Sequence, residues 1–525
     1  MKGGIKSVSW KELRDPIHGW IRLSIDEARL LDDDVFVQRL RRITQDGLAH
    51  YVYPSARGSR FEHSLGTMYL ATLMVERVLS EANEQSLRSL MDALGLHDEG
   101  VSAIRQYVRL SGLHHDIGHP PLSHVLDGYV SSLVKPNQVL YTAGLGKEHE
   151  VAGLMIMGSG KFRRIISSLG IDAGILRVIT FYRLIKRVRL ITQYGSVNLE
   201  ASIPEVKLLS NMSDDETMLL ESLASIVSGG IDADRLDYTL RDLYFTGAGS
   251  GSGAIDIARL VNYLHLGRGI LIFDDKAKAF LEGYAIARYN LYKWVYMHHK
   301  VLQYDEMLRE VFRSIIMLEK AKGFKTAAIN FLNGNPNEDD LDIYTDDYLE
   351  AMLSEAYHEG LINGYVKDYA DSILHRRTSM RALWKRDEDY IMIFGLGNAI
   401  MLNKYIDEQV GVHGLNWVNE FKTRVVNEMK ETLNCDCKIL VSTASFSNDI
   451  STFVRSNDGS LITITEVSPL IKAIDNAWEQ TPHVFVFIDP SELSKNGVEL
   501  SKVRSTAVRL LSNMATTGSS HPHYT

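Results

Sequence analysis

The stretch LHHDIGHPPLSHVLD, residues 113–127, decides how this chain is read. It gathers His114, His115, Asp116, His119, His124 and Asp127 into one short segment. A single histidine is far more often a satisfied core or surface group than a ligand, and clustering reverses that expectation. The adjacent His115–Asp116 pair offers an imidazole nitrogen and a carboxylate oxygen, donors that suit Mn, Fe, Zn or Mg rather than soft copper sites. Further ligands have to come from elsewhere. RFEHS, residues 60–64, supplies His63, and GIDADRLDYTLRD, residues 230–242, is dense in aspartate. There Asp234, Asp237 and Tyr238 fall on one helix face at spacings of three and four, with Asp242 a turn further on. Taken alone, that helix reads as solvated and acidic, with Arg235 and Arg241 as partners. The conjunction of the three segments favours convergence on one ion.

Around this stretch the chain has the composition of an ordered enzyme: 525 residues, 45% hydrophobic and 23% charged, too apolar for a long disordered chain. The 57 Lys+Arg against 66 Asp+Glu leave a net charge of -9, so no general field attracts polyanions and phosphate binding has to be local. Cys435 and Cys437 stand alone as C-x-C, neither a disulfide framework nor a thiolate metal site, which fits a reducing, cytoplasmic compartment. Neither a secretion signal nor an apolar run of membrane-spanning length is present, so no membrane partner is expected.

Apolar spacings of three and four in LLDDDVFVQRLRRI, SLGTMYLATLMVERVL, the DETMLLESLASIVS…DRLDYTLRDLY stretch and the DKAKAFLEG…VFRSII stretch predict a mainly α fold. GWIRLS, VRLITQYG near 190 and LGRGILIFDD read as small β-hairpins. Beyond about 435, CKILVSTAS, SLITITEVS and HVFVFIDP predict an α+β carboxy-terminal lobe. The expected division is a core over 1–430 with helical extensions and a lobe over 431–525. The TGAGSGSG loop at 246–253 is expected to be mobile and the final residues frayed.

The H…HD…D arrangement of His63, His115, Asp116 and Asp234 resembles the HD superfamily of metal-dependent phosphohydrolases. More narrowly, DPIHG at 15–19, QRLRRI at 38–43, YVYPSARGSRFEHSLG at 51–66, HDIGHPPLSH at 115–124 and GIDADRLDY at 230–238 resemble, in order, the motifs of the HD-domain deoxynucleoside triphosphohydrolases. The likeness runs from about residue 10 to 320, and FVRSNDGSLITITEVSPLIKAI is similar to that family's second lobe. It implies an HD-domain helical core with one divalent metal per active site, held by His63, His115, Asp116 and Asp234. His119, Asp127, His149 and His124 are then the catalytic group, with Glu150 orienting His149. Arg60, Arg235, Tyr238 and Arg288 are implied as phosphate contacts, Tyr296 as facing the sugar, and Gln45 and Asp242 as holding the 3′-hydroxyl. The implied reaction is attack of water at the α-phosphorus of a nucleoside triphosphate, releasing deoxynucleoside and inorganic triphosphate.

The chain also departs from the family. Asp46 stands where vertebrate members carry an apolar residue that crowds the ribose 2′ position, and a carboxylate there either accepts a hydrogen bond from a 2′-hydroxyl or turns away to solvent. Met297 and His299 replace a Gln and a Lys, with Lys300 one place late. Asp33, Gln38 and Arg41 in DDDVFVQRLR match a regulatory nucleotide site of the family, which implies a nucleotide activator and a homo-oligomer; the competing expectation is a capped amphipathic helix start. Two other readings of the whole chain are a phosphodiesterase or nuclease, with the basic stretch 162–189 as a nucleic-acid wall, and a non-catalytic nucleotide sensor.

Overall fold

A computed structural model describes residues 10–96, 100–136, 139–142, 145–194, 203–248, 255–444, 452–456 and 458–518. The fold is mainly α with small sheets, as the periodicity predicts, and a continuous apolar core runs through it from Ile21 to Ala515. Three helices carry the pocket: Arg60–Leu79, Val101–His114 and Ala233–Thr246. The first starts at a capping box in which Glu62 accepts the Ser59 backbone N–H at 2.7 Å. The third is capped by Asp232, which accepts the Arg235 N–H at 2.7 Å, and it stops at Gly247 in the left-handed region.

A fourth helix, Lys278–Leu291, widens through a π-type turn at Tyr292–Tyr296 before His299–Ile315 continues. Such widening re-aims side chains where an uninterrupted helix would bury them. The periodic stretch from 30 to 43 is likewise broken, at Asp34, whose carboxylate accepts from Phe36 and Val37 N–H and starts a new helix.

Trp10–Asp15 and Gly19–Ser24 form an antiparallel hairpin. Leu264–Leu266 and Leu271–Asp274 form a second, and Phe453–Arg455, paired in turn with Leu461–Thr463, joins it in parallel. Arg381–Ala382 and Ile439–Thr443 flank Val484–Ile488 in a third sheet. Strands from either side of residue 430 therefore share sheets. Cys435 and Cys437 are bonded to each other just before Ile439–Thr443.

Two expectations are corrected. VRLITQYG is not a strand: through Tyr194 it belongs to the helix Tyr182–Tyr194. Its local alternation yields to a longer period that buries Tyr182, Ile185 and Val188 and exposes Arg183, Arg187 and Leu190. SLITITEVS is strand only to Thr463, where a Thr463–Glu466 capping box starts a short helix. Most of the 246–253 loop and the last residues of the chain lie outside the described residues.

Candidate active site and metal centre

The residues of the H…HD…D arrangement meet. His63 Nε2 lies 3.0 Å from Asp234 Oδ1, 3.5 Å from Asp116 Oδ2 and 3.3 Å from His115 Nε2. His115 Nε2 is 3.3 Å from Asp116 Oδ1 and 3.6 Å from Asp234 Oδ1. Each imidazole is turned inward by its other nitrogen: His63 Nδ1 is 2.8 Å from Asp237 Oδ2, and His115 Nδ1 is 2.8 Å from the Gly112 carbonyl. That outer hydrogen bonding is how metal-binding histidines are oriented.

The electrostatics fit a cation at the same point. Burial alone would lower His63, but its hydrogen bonds to the Asp234 and Asp237 carboxylates raise it to about 10. His115 is also raised, against burial, by Asp116 and Asp234. Asp234 is held far below the usual carboxylate range: burial opposes, and His115 and His63 more than offset it. A divalent ion would be drawn to the same oxygens and nitrogens that favour a charged imidazole here.

The arrangement is braced from behind by residues that the motif reading quoted or placed on the helix without giving them a role. Asp237 receives His18 Nε2 at 2.6 Å and two bonds from Arg241, each 2.9 Å. Arg241 Nη1 also reaches Asp15 Oδ2 at 2.9 Å, while Asp15 Oδ1 accepts the N–H groups of Ile17 and His18. DPIHG is therefore an Asx-type turn that delivers His18 to Asp237. Arg241, which a solvated helix would expose, is buried. Gly66 is dictated by this network, since a Cβ there would sit 1.8 Å from Asp237 Oδ1.

His119, His124 and His149 form a second group. His119 and His149 stack with ring centroids 3.9 Å apart, and His124 lies edge-on to both and is exposed. His149 Nδ1 is 2.7 Å from Asp127 Oδ2, and its backbone N–H donates to Asp127 Oδ1. Asp127 therefore orients His149, and the expectation for Glu150 is corrected. Glu150 instead accepts the Lys147 N–H at 2.9 Å in the capping box of its own helix. His119 is held well below the usual imidazole range, by burial first and then by Arg60 and His149, so its ring is neutral at pH 7. His114 is structural, bridging the Leu110 carbonyl and Asp34.

Arg60 spans the two groups, with Nη1 on Asp116 Oδ2 and Nε donating to Ser123 Oγ at 2.6 Å. The segment before it is stitched alongside: Arg60 N–H donates to Ile43 O and Gln45 N–H to Gly58 O, both at 2.9 Å. Gln45 and Asp46 thereby stand next to the candidate metal pocket. Tyr296 donates to Asp242 Oδ2, and burial first, then the nearby Asp46 carboxylate, pushes Asp242 well above the usual carboxylate range. Arg235, Tyr238, Tyr284 and Arg288 form one charged and aromatic neighbourhood, with Arg288 5.5 Å over the Tyr292 ring. Gln45 Oε1, Arg60 Nη2 and His119 Nδ1 are buried with no hydrogen-bond partner. Buried polar atoms are rarely left so, and orphans on expected site residues mark places where a ligand belongs.

The expected regulatory residues are only partly drawn together. Gln38 Oε1 accepts from Arg41 Nε at 2.8 Å, Arg41 lies 3.4 Å over the Phe61 ring, and Asp33 is exposed. Asp34, not Asp33, is the helix cap. In the basic stretch 162–189, Arg177 is buried against Glu205, while Arg163, Arg164, Arg183 and Arg187 are exposed. Among the described residues no helix is long and apolar enough to cross a membrane.

No family model matches the chain. It is 30% identical over 309 residues to an uncharacterised protein of Methanocaldococcus jannaschii, covering 57% of this chain and 48% of that one. It is 34% identical over 239 residues to the human deoxynucleoside triphosphate triphosphohydrolase SAMHD1, covering 45% of this chain and 33% of that one. The chain thus spans about a third to a half of these relatives. Among solved structures, a hypothetical protein from Aquifex aeolicus shares the fold with a TM-score of 0.58 at 21% identity, over 95% of this chain and 100% of that one. A phosphohydrolase from Bacteroides thetaiotaomicron has a TM-score of 0.55 at 20% identity, over 91% and 99%. The curated relatives bear out the resemblance read from the motifs.

Proposed function

We propose that this chain, a homologue of HD-domain phosphohydrolases, is a deoxynucleoside triphosphate triphosphohydrolase that releases nucleoside and intact inorganic triphosphate. The observation that carries this reading is the convergence of His63, His115, Asp116 and Asp234 beside unpartnered Arg60 and His119 atoms. A divalent ion held by those ligands, Mn, Fe, Mg or Zn, supplies Lewis-acid polarisation and acidifies water when bound. Arg60 presents a fixed guanidinium fork to the α-phosphate and is neutralised on one side only, by Asp116. Arg235, Tyr238 and Arg288 hold the outer phosphates. His149, whose Nδ1 is tied to Asp127, keeps Nε2 for the proton that passes to the departing nucleoside oxygen. His119 stacks on it and fixes its plane, and exposed His124 closes the phosphate side. Gln45, Asp242 and Tyr296 receive the sugar.

Asp33, Gln38 and Arg41 are proposed as a contact for an activating nucleotide, with Arg41 already flattened on Phe61, and assembly into a homo-oligomer belongs to the same reading. The test incubates metal-loaded protein with deoxynucleoside triphosphates, singly and mixed, and separates products by chromatography. Triphosphate and nucleoside in stoichiometric amounts are expected, and any dependence on mixtures reports the activator. Diphosphate or pyrophosphate as the main product defeats the reading, and bound nucleotide without turnover leaves a sensor.

A further inference from the structure

His124 and Asp127 are carried by a strained turn. Leu122 and Ser123 stand side by side in the left-handed region, at φ +55° and +52°, which residues with side chains rarely adopt. Such backbone persists only where the surrounding structure holds it. Asp346 Oδ1 accepts the Leu122 N–H at 2.7 Å, and Arg60 Nε donates to Ser123 Oγ at 2.6 Å. The third hold is on Val125, which lies between His124 and Asp127: its carbonyl accepts from Arg309 Nε at 2.8 Å.

Arg309 belongs to the helix His299–Ile315, and its guanidinium is fixed from the far side. Nη1 donates to Glu306 Oε1 at 2.5 Å, three residues back on the same helix. Glu306 is buried, and the same oxygen accepts Lys422 Nζ at 2.6 Å and Ser442 Oγ at 3.2 Å. Lys422 lies on the long helix Leu396–Leu433 and Ser442 on the strand Ile439–Thr443. Burial would raise Glu306, but Lys422 and Arg309 hold it below the usual carboxylate range, so it stays a charged anchor. The long helix meets the turn a second time. A Cβ on Gly128, the residue after Asp127, would sit 2.0 Å from Leu415 Cδ1.

Resting on the proposed triphosphohydrolase activity, we infer that Arg309 is a positioning residue: anchored through Glu306 to Lys422 and Ser442, it fixes the Val125 carbonyl and thereby the placement of His124 and Asp127. It acts through the turn, not on substrate. Because Asp127 holds His149 Nδ1 at 2.7 Å, the long helix and its neighbouring strand help to set the orientation of the proton-transferring ring. Misplacing a reacting group by about 1 Å costs on the order of a hundredfold in rate.

The test compares metal-loaded wild type with Arg309→Met, Arg309→Lys and Lys422→Met. Lys438→Met is the control, since it breaks an ion pair with Asp368 and Glu492 that lies off this path. Triphosphate release gives kcat and KM, elemental analysis gives bound metal, and melts give stability. Arg309→Met should lower kcat roughly 10–100-fold with KM and bound metal little changed. Arg309→Lys should recover part of that loss, Lys422→Met should lower kcat less, and Lys438→Met should lower only the melting temperature. Lys422→Met, which leaves Arg309 in place, decides if Arg309→Met does not fold. An unchanged kcat overturns the inference, as does a fall that Lys438→Met reproduces at equal loss of stability. Spectra of isotope-labelled histidine supply a readout that needs no turnover. The Nδ1–H tautomer of His149, assigned by its loss in His149→Gln, is expected in wild type and a mixture of tautomers in Arg309→Met. If wild type releases no triphosphate, the proposed activity fails and this spectrum decides: a mixture upholds the positioning role and an unchanged His149 signal overturns it.

Discussion

Asp116, Asp234 and Asp237 on one side of the pocket and Asp46 and Asp242 on the other are the same chemical group in opposite surroundings. Asp116 is drawn well below the carboxylate range, against burial, by Arg60, His115 and His119; Asp237 likewise by Arg241, His18 and His63. Asp46 and Asp242 have no such partner within bonding distance among the described residues, and burial pushes both up. Burial penalises every carboxylate; what separates the two sides is whether a cation was folded in beside it. One side is thereby an anionic receptacle for a metal, and the other a set of hydrogen-bonding acids suited to hydroxyls. Environments that push paired acids apart assign their roles.

The comparison breaks most visibly at the ionised side. His115→Ala or Asp116→Ala should lower triphosphate release by at least about a thousandfold, with bound metal, read by elemental analysis, falling in step. Retention of activity by either variant would remove the metal from this place.

Next in size is the brace. Asp237→Ala leaves Arg241 buried with Asp15 as its remaining carboxylate and His63 Nδ1 without its partner, for which about 2–4 kcal/mol of stability is expected to be lost, and weakens metal affinity roughly 10–100-fold. Gly66→Ala should imitate it, because its Cβ needs the space of Asp237 Oδ1. Denaturant melts and metal titrations check both. A loss confined to the melts would make the brace a support of the fold alone.

Asp127→Asn probes the histidine group between the two sides. It removes the charge that orients His149 but keeps its shape, and kcat should fall about 10²–10⁴-fold with bound metal unchanged. An unchanged kcat–pH profile would assign the dyad to structure.

The smallest effect belongs to the protonated side. Burial pushes the Asp46 carboxyl up from the ordinary carboxylate range to about 6. A raised acid contributes stability that is full below about pH 4 and is lost as pH rises through 6. Asp46→Asn should therefore gain on the order of 1 kcal/mol relative to wild type between pH 4 and 7, a figure discounted for partial exposure. Parallel melts over that range check it, and a flat difference would mean that Asp46 is ionised like its neighbours across the pocket.

Much of this was legible in the chain. Helical periods located the Arg60–Leu79 and Ala233–Thr246 elements, and the H…HD…D arrangement marked residues that the structure brings together. The strand expected at VRLITQYG failed because a short alternating window is ambiguous and the burial of Tyr182, Ile185 and Val188 belongs to a longer period. Glu150 was given a role by adjacency in sequence, whereas Asp127, 22 residues away, holds the ring.

Residue type and local spacing therefore determined which groups are able to bind a metal, cap a helix or donate to phosphate, because those properties are carried by single side chains and near neighbours. Partnership was decided only by the tertiary structure. His18 meets Asp237 across 219 positions and Arg241 meets Asp15 across 226, and no local pattern encodes such pairs. The same holds for the charge on each aspartate. A carboxylate takes its protonation from the cations and the water around it, and folding alone settles which of these it keeps.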